Sequence, residues 1–497
     1  MVKYKSTKQL SIEEFKTPFY FGLDKNNRWA RLANQIPWDE FAKIYAEALC
    51  EDFGRPALDA RIVIGALIIK HRKGLSDEET IEEIKENPYL QFFIGYEEFS
   101  HKPPFDPSLF VTLRERLGID AFEQLNQAFI EGVQKAEDLK ETKKAKSKNN
   151  NHPDSGDTST GASKKQGVLI LDASVAPQDI KFPTDIDLLN DAREHTERII
   201  DELWESGPGK RKPRTYRNIA RKAYLSVAKK KKKSVKVLRA AIRKQLNYIR
   251  RNIKTIKKML EPALGKPLSL SHRDLKIFWI VQEIFRQQKQ MYDEKVHSVS
   301  DRIVSIAQPY VRPIVRGKSK NQTEFGAKIS ASLVKGNVYL DHLSWDAFNE
   351  GTDLKDQVEK YRERFGFYPA VVCGDTIYGT RDNRRYLKKL GIEFSGKALG
   401  RPPKLTEEEA KLARRKRKAQ AGLRNGIEGK FGEGKRKYDL DLVKAKTMRT
   451  SESWIAAVFF VMNLAAWLRK DLFLSFFRLL DIVKERWMNR SKLAFEC

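Results

Sequence analysis

Residues 167–177 read GVLILDASVAP. Four consecutive apolar side chains with Asp172 behind them make a buried strand ending on a polar tip. A second stretch is built alike: Tyr368-Pro-Ala-Val-Val-Cys373 is apolar and β-branched, and Gly374-Asp375 follows. Acids have no packing reason to end apolar strands, and strand ends are where α/β sheets place ligands. Either aspartate alone also reads as a cap of the next turn; the pair points to a shared site.

Around these strands the pattern is that of an α/β domain. Ala327–Val334 and Asn337–Leu343 flank Lys335-Gly336 and predict a hairpin. Helices are expected at Leu354–Phe365, at Thr380–Leu390 and in the basic region 404–437, with a short strand at Gly391–Ser395. A long helical stretch, about 184–300, separates the first strand from the hairpin. Within it, Lys210 to Lys258 holds 21 Lys/Arg and no Asp/Glu. Leu238, Ile242, Leu246, Ile249 and Ile253 recur at helical spacing there, so this is an amphipathic basic helix. A solvated face does not explain the lack of acids. Phosphate contact does, because each neutralised phosphate releases counterions; a membrane-surface helix is the alternative. The run Lys229, Lys230, Lys231, Lys232, Lys233 is its densest part.

The chain has 497 residues, enough for two to four domains. Its 95 Lys+Arg against 66 Asp+Glu leave +29, a surplus that calls for an anionic partner. Cys50, Cys373 and Cys497 form no Cys-x-x-Cys pair, which argues against a zinc finger and for a reducing cytoplasm. Trp454–Leu468 is apolar but short for a membrane span and interrupted by Asn463, so a buried helix is expected. Residues 1–136 read as all-helical. Gly74 ends one helix, Ser76-Asp-Glu-Glu79 opens the next as a capping box, and Asp106-Pro107 caps a third. A helix-turn-helix-like DNA-binding unit and a plain dimerisation bundle both fit. Residues 137–166, almost without apolar side chains, are expected to be a disordered linker. The expected division is 1–136, the linker 137–166, a catalytic domain of 167–183 and 301–470, the insertion 184–300, and a helical tail 471–497.

A third acid lies in Arg424-Asn-Gly-Ile-Glu428-Gly-Lys-Phe-Gly-Glu-Gly-Lys435. On a helix, Arg424, Glu428 and Lys435 share one face. Glu428 there suits a cation, and Arg424 and Lys435 suit a DNA backbone; an ordinary ion-paired helix is the bland reading. Gly422, Gly426, Gly429, Gly432 and Gly434 weaken a helix by about 1 kcal/mol each, and are read as room for close approach to DNA. Asp179, Asp185, Asp187, Glu324, Asp382 and Glu433 lack either a strand tip or this basic frame.

The chain resembles the DDE-type insertion-sequence transposases. Arg424-x3-Glu428-x6-Lys435 matches most of their Tyr-x2-Arg-x3-Glu-x6-Lys signature, with Ala421 where the tyrosine would stand. LILDASVAP at 169–177 and VVCGDTIYGTRDNRRYL at 371–387 look like the family's first and second aspartate strands. FGEGKRKYDLD and FFVMNLAAWL resemble its C-terminal tail, and 57–117 its N-terminal domain. The resemblance implies a ribonuclease-H-like mixed sheet flanked by helices, here interrupted by the basic helical insertion and preceded by the all-α domain. It implies Asp172, Asp375 and Glu428 as catalytic metal ligands for Mg²⁺, with Mn²⁺ as a substitute. It further implies cleavage of double-stranded DNA at terminal repeats, strand transfer into target DNA, and a homodimer or larger assembly without a membrane. Tyr378, Arg381, Arg424, Lys435 and Lys229–Lys233 are the expected DNA contacts. A non-catalytic DNA-binding relative would need the basic stretch but none of the three acids; a simple nuclease would use the same acids without joining.

Overall fold

The computed structural model describes residues 13–17, 22–49, 57–148, 165–205, 211–261, 270–315, 323–396, 399–400 and 406–493. Cys50 and Cys497 lie outside them, and Cys373 is a buried free thiol. Six helices come first: α1 (Arg28–Gln35), α2 (Trp38–Glu47), α3 (Ala60–Lys73), α4 (Asp77–Glu86), α5 (Pro88–Phe93) and α6 (Leu109–Lys148). Their ends follow local chemistry. Gly74 closes α3 in the left-handed region at φ 69°. Ser76 Oγ accepts from the Glu79 N–H at 3.0 Å while the Glu79 carboxylate accepts from the Ser76 N–H at 2.8 Å. This reciprocal cap opens α4.

Two expectations change here. Residues 137–148 are the end of α6 and not linker, because their Glu, Lys and Ala favour helix without any core to bury; residues 149–164 lie outside the described ones. And α3 is enclosed on nearly every side, while α4 exposes Glu78, Glu79, Glu82 and Glu86. A buried helix followed by an acidic one is poorly made for a DNA groove, so this pair fits the bundle alternative.

The sheet contains β1 (Val168–Pro177), β2 (Arg312–Val315), β3 (Thr323–Val334), β4 (Asn337–Ser344), β5 (Val371–Cys373) and β6 (Glu393–Phe394). Its order is β2-β3-β1-β5-β6, with β4 also on β3. β1, β5 and β6 are parallel, and β3 runs antiparallel to β1, β2 and β4. The predicted β3–β4 hairpin is present, with Lys335 at φ 49° and Gly336 at φ 88° making the left-handed turn that matches strand twist. Helix α11 (Leu354–Phe365) links β4 to β5, and α12 (Arg381–Lys389) links β5 to β6. The result is the mixed, helix-flanked sheet of the ribonuclease-H-like architecture.

Between β1 and β2 the chain makes a separate four-helix bundle: α7 (Asp185–Glu205), α8 (Arg217–Ala228), α9 (Val235–Leu260) and α10 (His272–Glu294). It has its own core, including Leu189, Ile199, Leu246, Ile249, Ile256 and Val281. The apolar stripe expected along α9 is the face it buries. The helices alternate in direction. Tyr224 of α8 donates to Asp187 at the start of α7 (2.6 Å), and Gln288 near the end of α10 donates to Asp185 (2.8 Å). These contacts mark the root of the bundle, where it joins the sheet. Arg217 on Asp201 marks the far end.

After β6 come α13 (Glu407–Lys437) and α14 (Met448–Leu493). Met448–Phe473 is apolar enough to cross a membrane, with mean hydropathy 1.4, yet 83% of its most apolar window is buried inside the protein. It is the core helix expected at Trp454–Leu468. It packs against α3, α6 and β4. Phe460 meets Phe41 and Phe122 at ring distances of 5.7 and 6.3 Å, and Trp454 meets His71 at 4.8 Å. Lys70 and Arg114 share Asp77 (3.0 and 2.8 Å) and both lie over the Trp454 ring. The first six helices and the sheet therefore share one continuous core.

Asn463, the polar interruption in this run, is fully buried. Its Oδ1 accepts from the Val338 N–H (2.9 Å), and its Nδ2 donates to the Val338 carbonyl (2.7 Å) and to Asn126 Oδ1 (2.8 Å). It thereby pairs the backbone of β4 as a neighbouring strand would. Asn463→Ala strands several buried polar groups at about 1–3 kcal/mol each. Stability should fall by about 2–4 kcal/mol in denaturant unfolding; a loss below about 1 kcal/mol would show that β4 does not need this clip.

Candidate active site

The register of β1 and β5 sets the geometry. Ile170 pairs with Cys373, so Asp172 and Asp375, each two residues further, come level with one another. Asp172 is not at the tip of its strand as expected. β1 continues to Pro177, paired from Asp172 onward with β3 but no longer with β5, which stops at Cys373. The short neighbour, and not the end of β1, exposes Asp172. Asp375 does cap the next turn, its Oδ1 accepting from the Thr376 N–H at 2.6 Å. It is also recruited elsewhere.

Helix α13 crosses β1, β3 and β5 and supplies the third acid. The five glycines do not break it. Gly426 faces Leu333, where a Cβ would stand 3.1 Å from Cδ2, and Gly434 faces Leu440 and Met462 at 3.0 and 3.1 Å. Those two give room to the protein's own core and not to DNA; only Gly422 and Gly429 look onto open space. Arg424 Nη2 donates to Glu428 Oε1 (2.8 Å) and Nη1 to Asp375 Oδ1 (3.2 Å). One guanidinium thus bridges two of the three acids, and its hydrogen bond to Glu428, followed by the charges of Asp375 and Glu428, pushes its own pKa up.

Asp172 has no ion-pair partner among the described residues. Its pKa is pushed up to about 6, first by burial, then by the charges of Glu350 and Glu428, against lowering by the Ala173 N–H and Arg424. Glu350 carries no signal in the sequence: it sits in an irregular stretch with neither a strand tip nor a basic frame. Its short turn, Glu350–Thr352, is bolted to the turn Thr376–Tyr378 that follows Asp375. Asn383 Nδ2 donates both to the Gly351 carbonyl (2.6 Å) and to the Tyr378 carbonyl (3.0 Å).

The other expected residues are scattered. Tyr378 cannot touch DNA: it is completely buried, and burial with the nearby Glu350 raises its pKa far above normal. Its apolar ring packs inward against Gly374. Arg381 is exposed at the first turn of α12. Lys435 is half-buried in the last turn of α13, about 10 Å along the axis from Glu428. Lys229–Lys233 are all exposed and form the turn between α8 and α9, where a continuous helix was expected. Lys233 acts on Asp187, so this turn stands at the root of the bundle. His195 lines a separate cavity of about 380 Å³ with Phe182, Asp191 and Ile306, away from the three acids. His342 is paired with Asp353 at 3.0 Å.

Three carboxylates are hard oxygen donors whose charge suits Mg²⁺ or Mn²⁺. Among the described residues, no three such ligands are already grouped closely enough to hold an ion. The donor chemistry nevertheless fits: Asp375 and Glu428 already share one cationic group, and Asp172 is a half-buried acid without an ion-pair partner among the described residues.

Residues 372–465 match the family described as Transposase DDE domain, and residues 19–116 match Transposase domain (DUF772). The first match includes Asp375, Arg424, Glu428 and Lys435 but not Asp172. The resemblance to DDE-type insertion-sequence transposases thus rests on two separate regions. An uncharacterized protein of Rhizobium meliloti, ORF8 in the nfe locus, is 41% identical over 103 residues. The aligned part is 21% of this chain, which spans about half (49%) of that relative's length. No solved structure matches the chain.

Asp172 binds its proton more tightly folded than unfolded. Folding is therefore penalised as pH rises above the unfolded value near 4, and the penalty is complete above about 6. Asp172→Asn should stabilise the metal-free protein above pH 6 by about 1–2 kcal/mol, after discounting for partial exposure. The gain should vanish near pH 4. Thermal unfolding of both proteins from pH 4 to 8 checks this; a pH-independent difference would refute it.

Proposed function

We propose that a chain with two transposase-type regions and three acids around one guanidinium cuts and joins double-stranded DNA. In this reading Asp172, Asp375 and Glu428 hold the dication, Mg²⁺ with Mn²⁺ as substitute. When bound, it supplies Lewis-acid stabilisation and acidifies water. What supports the reading most is that residues 203 and then 53 positions apart converge: Arg424 bonds Asp375 and Glu428, and Asp172 senses both Arg424 and Glu428.

The chemistry is phosphoryl transfer without a covalent protein intermediate. A water oxygen attacks the phosphorus at the transposon end, and the 3′ oxygen leaves and takes a proton. The freed 3′ hydroxyl then attacks a target phosphodiester, so one bond is exchanged for another. Arg424 carries a planar fork that suits phosphate oxygens as well as carboxylates. When DNA enters, it can exchange Asp375 and Glu428 for the backbone, leaving both acids free to accept a cation. Lys435 extends the positive edge along α13. Asp172 enters partly protonated near pH 6, so site assembly is favoured by mildly alkaline conditions.

The exposed Lys229–Lys233 turn holds DNA by its phosphates and not by its bases. Arg381 is a further exposed contact for the substrate. Terminal repeats and target DNA are the expected partners, and two ends held together require at least a dimer. The alternative, a DNA-binding protein derived from a transposase, leaves the convergence of acids without a use.

The deciding measurement is cleavage and strand transfer on labelled DNA from the element's own ends, with Mg²⁺ or Mn²⁺. Asp172→Asn, Asp375→Asn and Glu428→Gln should each lose more than about 100-fold in cutting while still binding DNA. A wild-type protein that binds but never cuts would hand the case to the alternative. For binding, replacing Lys229–Lys233 with serine should flatten the slope of log affinity against log salt by up to about 4, near 0.9 per lost phosphate contact. An unchanged slope would take this turn out of the DNA interface.

A further inference from the structure

Resting on that reading, we propose that Glu350 is a fourth carboxylate of the same site and that Lys328 holds it in reserve. The assignment starts from where the chain carries it. Glu350 opens a turn that follows β4, 25 residues before Asp375. Two features fasten this turn to the one that begins at Asp375. At Gly351 a Cβ would stand 2.5 Å from the Ile377 carbonyl oxygen, so the two backbones touch and only glycine fits. Asn383, itself buried, then donates to a carbonyl on each turn. Whatever positions Asp375 therefore also positions Glu350.

A second observation points into the same space. The Tyr378 hydroxyl is completely buried, and its hydrogen-bonding neighbour is the buried Ser330 hydroxyl. The charges of Glu350, Asp172 and Asp353 all reach Tyr378. Charges from β1 and from the turn after β4 thus meet at one buried side chain.

The basic side chains complete the pattern. Arg424 neutralises Asp375 and Glu428, and Lys328 Nζ neutralises Glu350 at 3.0 Å while also donating to the Phe348 carbonyl at 2.7 Å. Both are positive charges standing beside acids that a dication would otherwise satisfy. Removing Lys328 should therefore help a dication and removing the Glu350 charge should hinder it. A purely structural ion pair predicts no such opposition, since breaking it from either side only loosens the fold.

The test is Mn²⁺ binding to the full chain without DNA, followed by titration calorimetry and by the rise in Tm that Mn²⁺ produces. Glu350→Gln should weaken Mn²⁺ binding by about tenfold or more, as Asp172→Asn should, and Lys328→Met should strengthen it. Glu350→Asp, which keeps the charge, should restore part of the loss and serves if Glu350→Gln folds poorly. The proposal is overturned if Glu350→Gln binds Mn²⁺ like the wild type while Asp172→Asn, Asp375→Asn and Glu428→Gln do not; the three-acid reading then survives alone. If none of the four changes Mn²⁺ binding, the reading on which this one rests falls with it.

Discussion

A stretch of uncharged residues from Trp454 to Leu468 must leave water, and the way it does so organises the molecule. Each large apolar side chain fully buried along α14 contributes about 1.5–3 kcal/mol. Collecting that gain takes surfaces on several sides, and the helices before the sheet provide them together with β4. The helices before the sheet and the sheet itself thereby share one core. Helix α13 is placed by the same packing, since its Gly434 seats against Met462 of α14. The insertion bundle stands outside this arrangement with a core of its own.

On that frame the site is governed by repulsion among carboxylates. Parallel pairing brings Asp172 level with Asp375, and α13 brings Glu428 over them. Like charges gathered in a partly desolvated place are costly, and the protein answers in two ways. Arg424 bridges the two more exposed acids, and the half-buried Asp172 shifts its proton affinity upward. Both responses are reversible by a stronger positive charge. The balance of +29 over the whole chain lies elsewhere, much of it on the insertion, so the acids keep a local character opposite to that of the surface around them.

Much of the fold was legible because its signals are local. Gly74, the Ser76–Glu79 cap, the Lys335-Gly336 turn and the span of α11 follow from backbone sterics and neighbouring side chains, which act within a few residues. The apolar run of α14 announced its burial by its shortness and by the polar Asn463 within it. The errors were of another kind. The charged end of α6 resembled a linker because composition reports the lack of a core and not helix propensity. The glycines of α13 read as room for close approach to DNA, whereas two of them are close-packing positions against other elements of the core.

For the site, the sequence by itself determined which groups were available: two aspartates behind apolar runs, and an Arg-Glu-Lys face whose spacing is fixed by the helix repeat. Side-chain chemistry and periodicity are properties of the chain, so they could be read in order. Only the tertiary structure decided that the length of β5 uncovers Asp172, that Tyr378 turns inward, that five lysines form a turn at the root of the bundle, and that Glu350 shares a wall with Asp375. Each of these depends on which distant surfaces meet, and burial and electrostatic field exist only once they have met.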